Sequence, residues 1–234
     1  MSSMVYATKN LPRLLFLVLL FSPVLSVTSQ EIVTASNFLI QVSDQYNKVS
    51  DYRGTFLIVS GRDVMEGAIL YKNPNKIRMD FTAPRDQVLV SDGKILQIYM
   101  PRYSSVFNQE LKRRSDTNVA NLASAQGLHL LRNNYSVAYL VGPDPMPLDE
   151  GSEEMVTKLR LITRNANESF RQMEISVDKN LMIRRIIGTT TRSVLIQFDF
   201  RGIRTNVGLD DILFEYKSPP TANSIYNFLF EPEG

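Results

Sequence analysis

Covalent chemistry would start from histidine, cysteine or paired carboxylates, and the chain offers little of it. The single histidine, His129, stands in the apolar stretch with Leu128, Leu130 and Leu131. That setting reads as a packed side chain rather than a general base or a metal ligand. With no cysteine there is no thiolate nucleophile and no cysteine ligand for zinc. Neither a G-x-S-x-G elbow nor a glycine-rich phosphate loop is present, and no carboxylates pair distinctively on an apolar face. The sequons at Asn134-Tyr135-Ser136 and Asn167-Glu168-Ser169 are read as chance. The expectation is a protein that is not an enzyme and holds no cofactor. What the sequence does carry in quantity is apolar side chains at strict spacing, and apolar surface binds apolar ligands.

The elements that must position those side chains begin after residue 29. Lys9 and Arg13 precede the run Leu14 to Phe21, then Pro23 and the small residues Ser26 to Ser29, the order of a secretory signal. Residues 1–29 are therefore expected to be removed, leaving 30–234 as one domain. The apolar run is far shorter than the roughly 20 residues a spanning helix needs. An exported chain without cysteine holds its fold by its core alone, and it lacks the residue that bacterial lipid attachment requires. Lys and Arg total 26 against 24 Asp and Glu. Lys9 and Arg13 account for the excess, so the remaining domain is neutral, which argues against nucleic acid.

Phe38, Val42, Tyr46 and Val49 recur at helical spacing, so the pattern predicts a helix over 34–49, with Thr34 or Ser36 as its cap. From Tyr52 the period becomes two. Ile77, Met79 and Phe81 alternate with charged residues, and Val88 and Val90 follow Gln87. Asp92-Gly93 turns the chain, and Leu96, Ile98 and Met100 continue beyond it. Four to six antiparallel strands are expected over 52–107. A second helix is expected over 116–131, and the Pro-rich acidic segment 142–154 reads as a solvated loop. Strands resume at Leu159-Leu161, Met173 to Val177, Val194 to Phe200 and Ile212 to Tyr216, and the tail alternates again at Tyr226, Phe228 and Phe230. The simplest assembly is one curved antiparallel sheet with two helical excursions.

One stretch resembles a known family. Gly67-Ala68-Ile69-Leu70-Tyr71-Lys72-Asn73-Pro74, then Ile77-Arg78-Met79-Asp80-Phe81, then Val88-Leu89-Val90-Ser91-Asp92-Gly93-Lys94 and Ile98-Tyr99-Met100-Pro101 stand in the order and spacing of the LolA-type outer-membrane lipoprotein carriers. The opening Val49-Ser50-Asp51-Tyr52 and the closing Phe214-x-Tyr216 with Pro219-Pro220 are similar too. The resemblance implies a mainly β fold with helices: an incomplete antiparallel β-barrel of about eleven strands under a helical lid. It also implies the partners: triacylated lipoproteins as cargo, an inner-membrane ABC-type release complex as donor and an outer-membrane acceptor. The carrier would be periplasmic, unanchored and monomeric. The chain departs from the family at Asn73, where the usual residue is an Arg that bonds to the lid, and at Thr221, where the usual residue is Gly.

With that resemblance, the period-two positions become candidates for contact with acyl chains: Phe56, Ile58, Ile69, Ile77, Met79, Phe81, Val88, Val90, Leu96, Ile98, Met100, Met173, Ile175, Val194, Ile196 and Phe198. Val119, Leu122, Leu128 and Leu131 are lid candidates. Arg102, Lys112, Arg113 and Arg114 form a basic cluster suited to docking an acidic partner or anionic headgroups. Each apolar position has ordinary core packing as its alternative. Three competing readings share the fold: a sensor of envelope stress, a carrier of another lipid such as a glycolipid, and a barrel with a filled core.

Overall fold

The computed structural model describes residues 33–111, 124–166 and 168–227. Helix α1 spans Ala35–Asn47, and the Thr34 hydroxyl caps it by accepting from the Asn37 amide. Six strands follow: β1 Asp51–Ser60, β2 Asp63–Lys72, β3 Lys76–Ala83, β4 Val88–Ser91, β5 Ile95–Met100 and β6 Ser105–Glu110. Helix α2 spans Ala125–Asn134, capped by Ser124. Then come β7 Tyr135–Tyr139, β8 Met146–Pro147, β9 Met155–Thr163, β10 Phe170–Asp178, β11 Ile183–Thr190, β12 Leu195–Thr205 and β13 Asn223–Tyr226. All thirteen strands belong to one sheet in the order β13-β6-β5-β4-β3-β2-β1-β12-β11-β10-β9-β7, with β8 also on β9. The curved, unclosed sheet is the expected incomplete barrel, with thirteen strands rather than eleven.

Backbone geometry explains part of the family-like motif. A Cβ on Gly67 would lie 2.1 Å from the Asp80 carbonyl oxygen, at the bulge where β2 meets β3, so only glycine lets the two strands pair there. The Asp92 carboxylate accepts from the Lys94 and Ile95 amides and Gly93 takes φ 91°, closing the β4–β5 hairpin.

The strand registers define two ends. The turns at 60–63, 83–88, 100–105 and 190–195 lie at one, the distal end. The end of α1 and the turns at 72–76, 91–95 and 178–183 lie at the other, the proximal end.

The outer face is partly covered as well. After β12 the chain turns at Asn206 and lies across β2, β3 and β5. The buried Asp51 carboxylate accepts from the amides of Val207, Gly208 and Leu209. Lys72 and Lys76 pair with Asp211 at 2.6 and 2.9 Å, and Arg78 donates to the Leu213 carbonyl. The alternation predicts a strand over 212–216. The structure instead has a short 3-10 turn, Asp211–Phe214, with Phe214 2% exposed. This segment seals an outer face and does not add a strand to an edge. Farther round, Arg185 bridges Asp199 and Asp149 and ties the acidic loop to the outer face.

Candidate functional site

Paired residues of antiparallel strands face the same side, so the registers assign the inner face. From β1 it takes Tyr52, Phe56 and Ile58; from β2, Met65, Ile69 and Tyr71; from β3, Ile77, Met79 and Phe81. On β4 the inner residues are Leu89 and Ser91, which oppose Met79 and Ile77. β5 adds Leu96, Ile98 and Met100, and β12 adds Ile196, Phe198 and Phe200. Met173, Ile175 and Val177 of β10 continue the surface with Leu159 and Leu161 of β9.

Two zones result. At the proximal end and under β7, β9 and β10, the helices fill the curve. Leu39 and Val42 of α1, Leu128 and Leu131 of α2, and Leu159, Leu161, Met173 and Ile175 of the sheet are all fully buried in one core. Toward the distal end the same apolar surface continues, but Met65, Leu89, Ile98, Met100, Phe107, Ile196 and Phe198 are only half-buried. Phe56 and Phe81, edge to face at 5.0 Å, stand where the zones meet.

Polar fastening of the helices falls to tyrosines. The Tyr46 hydroxyl of α1 accepts from the Ile183 amide at 3.1 Å. Tyr71 stacks on Tyr52 at 5.0 Å, donates to the Pro74 carbonyl and bonds the Ser124 hydroxyl that caps α2. Tyr139 donates to the Val33 carbonyl at 2.8 Å ahead of α1. Burial pushes the Tyr71 phenol up to about 12, with the Ser124 bond opposing the shift. Burial also holds the Tyr46 and Tyr52 phenols well above their ordinary value. These groups are neutral across the physiological range.

Of the predicted contact positions, Phe56, Ile58, Ile69, Ile77, Met79, Phe81, Leu96, Ile98, Met100, Met173, Ile175, Ile196 and Phe198 all face inward. Val88 and Val90 do not. They oppose Asp80 and Arg78 on the outer face, and the inner residue between them is Leu89. Val194 precedes β12 in a turn and is 44% exposed. Leu128 and Leu131 are buried in the core, while Val119 and Leu122 lie outside the described residues. Arg102 sits in a 3-10 turn at the distal end, a whole strand away from Leu111, where β6 has run back to the proximal end. Lys112, Arg113 and Arg114 lie outside the described residues. His129 is not packed. It is exposed on α2 beside Asn133 at 3.2 Å, because the helix turns it away from Leu128 and Leu131.

A cavity of about 550 Å³ opens at the proximal end, and none of the predicted contact positions lines it. Phe38, Met155 and Leu181 share its wall with Glu153, Glu154, Asp178, Lys179 and Arg184. Such a mixed-charge lining is a poor home for an acyl chain, so the half-buried distal strip is the better candidate site.

Fold and site together define an open half-barrel whose apolar inner face is only partly roofed by two helices. The model of the family described as outer membrane lipoprotein carrier protein LolA matches residues 59–217, and the chain belongs to that family. An outer-membrane lipoprotein carrier protein of Haemophilus influenzae (strain PittEE) is 30% identical over 161 residues, 68% of this chain and 70% of the relative. One from Methylococcus capsulatus (strain Bath) is 25% identical over 179 residues, 76% and 79% of the two chains. Among solved structures, an uncharacterized conserved protein from Thermus thermophilus superposes with a TM-score of 0.53 at 12% identity. That match covers 80% of this chain and 98% of the other, and it speaks to the fold alone.

Proposed function

We propose that this protein is a periplasmic carrier, its signal 1–29 removed, that holds the acyl chains of lipoproteins against the inner face of its half-barrel. It takes them from an inner-membrane ABC-type release complex and hands them to an outer-membrane acceptor, with no covalent chemistry of its own. The observation that supports this reading best is the apolar inner face, buried where α1 and α2 cover it and half-buried where they do not.

The energetics suit the task. Burial is worth about 0.8 kcal/mol per methylene, so exposing a chain of about fourteen would cost on the order of 11 kcal/mol by the same rule. Transfer from a bilayer to an apolar protein surface exchanges one apolar setting for another, and its net change is near zero. Leu39, Val42, Leu128 and Leu131 compete with the ligand for the same floor. Acyl chains entering from the distal strip displace α1 and α2, whose leucines return when the cargo leaves. Loading and release then follow small differences in affinity between donor, carrier and acceptor.

The test is to express the protein with a triacylated lipoprotein in the periplasm and recover the carrier by affinity capture. A one-to-one complex that detergent dissolves is the expected result. Free glycolipid or phospholipid in its place would make the protein a carrier of another envelope lipid. Repeated recovery of bare protein would overturn the carrier reading.

A further inference from the structure

We infer that the distal turns form a docking surface for an anionic bilayer. This rests on the carrier reading and names where the carrier meets its membranes. The four turns that rim the half-buried strip each carry an exposed arginine: Arg62, Arg85, Arg102 and Arg192. Among the described residues, none of them is engaged in an ion pair. Only Asp63 and Asp86 oppose them within those turns. In the remaining distal loop, Arg164 and Glu168 are taken up by Ser136 and Asn134.

Large apolar side chains stand out beside the arginines. Val64 is 55% exposed, Tyr103 59%, Val194 44% and Leu195 54%. Arg102 lies over the Tyr103 ring, 5.9 Å from its centre. A tyrosine, aliphatic tips and arginines outside any ion pair at one rim are the composition of a protein surface that sits at the headgroup level.

Charge across the sheet orients the approach. The proximal end carries the loop Gly142 to Glu154, with Asp144, Asp149, Glu150, Glu153 and Glu154 and no basic residue. Among the described residues, Asp149 and Glu154 are paired with arginines of β11, and the others are not. Ten-residue strands separate the two ends by roughly 30 Å, several times the Debye length of about 8 Å at physiological ionic strength. An anionic surface therefore attracts the distal end without feeling the acidic loop nearby. Docked by its distal turns, the protein places Ile98, Met100, Ile196 and Phe198 directly over the membrane, so acyl chains pass between bilayer and floor without crossing water.

Flotation with vesicles of equal phosphatidylglycerol and phosphatidylcholine, against phosphatidylcholine alone, tests this on wild type and three variants. Wild type is expected to float with the anionic vesicles, and less so as salt rises. Arg102→Gln/Arg192→Gln should weaken binding roughly 30-fold, from the attraction of each arginine for an anionic surface. Val64→Asp/Leu195→Asp should weaken it comparably. Glu150→Lys/Glu153→Lys at the proximal end should retain wild-type flotation. Circular dichroism and binding of a triacylated lipopeptide are measured on the same proteins. A wild type that binds lipopeptide but floats with neither vesicle overturns the docking surface and leaves the carrier reading intact. Unchanged flotation in both distal variants does the same. Flotation without lipopeptide binding supports the docking surface and overturns the carrier reading.

Discussion

Replacing Leu131 by Ala should destabilise the protein and tighten its ligand binding at the same time. Leu131 is fully buried on α2 against the inner face, and its loss is expected to cost about 3 kcal/mol. If α2 must lift for acyl chains to enter, the cost falls on the covered arrangement and not on the liganded one. The fraction of molecules ready to bind then rises, and apparent affinity rises with it. A cost of about 3 kcal/mol allows a gain of up to roughly 100-fold, limited by how rare the open arrangement is at the outset. Urea unfolding gives the first quantity, and titration with a fluorescent triacylated lipopeptide gives the second. Affinity that weakens in step with stability would refute the reasoning, because it would make α2 a fixed wall of the site rather than a competitor for its floor.

Phe198→Ala, on the half-buried strip, should behave in the opposite way: about 1 kcal/mol or less of stability lost, with lipopeptide affinity down at least tenfold in the same titration. Gly67→Ala should cost about 3 kcal/mol, or on the order of 9 °C in melting temperature, because its Cβ would press on the Asp80 carbonyl; calorimetry reads it directly. The buried tyrosines predict an alkaline transition. Their folded pKa values are raised, so their contribution is complete below pH 10 and is lost as pH rises through about 12 for Tyr71. Binding of an apolar dye should increase over that window together with tyrosinate absorbance, and Tyr71→Phe should move the transition to higher pH.

Strand identity is legible wherever one face of a strand is wet. Ile77, Met79 and Phe81 alternate with Arg78 and Asp80, and their inward facing follows from that alternation alone. The run Val88-Leu89-Val90 gives no such signal, since β4 is apolar on both faces. Val90 is 1% exposed on the outer face, where the segment after β12 covers the neighbouring strands, while Leu89 faces the inner strip. The sense of that strand is set by its pairing with β3, which its own residues do not encode. The segment 212–216 misleads for a related reason. Phe214 and Tyr216 pack onto the outer face of a sheet instead of extending one, while Ile212 and Leu213 stay exposed, and neither period captures that. The tyrosine fastenings are hidden because a buried tyrosine looks like any aromatic core residue until its partner is known. The Ile183 amide and the Ser124 hydroxyl lie 137 and 53 positions away from Tyr46 and Tyr71.

The clasp of residues 206–216 also sets an order of folding. Strands β1 to β6 pair each with the next along the chain, so that half can assemble from local contacts before the rest is in place. The free edge of β1 then waits for β12, more than a hundred residues later. The amides that satisfy the buried Asp51 carboxylate come later still, at Val207 to Leu209. Contacts of such sequence separation are slow to form. Until they do, a chain with an open sheet edge and an uncapped outer face is at its most prone to aggregate. Maturation therefore finishes at the C-terminal side, and a chain shortened before residue 206 would leave Asp51 buried without its partners, or would fail to bury it.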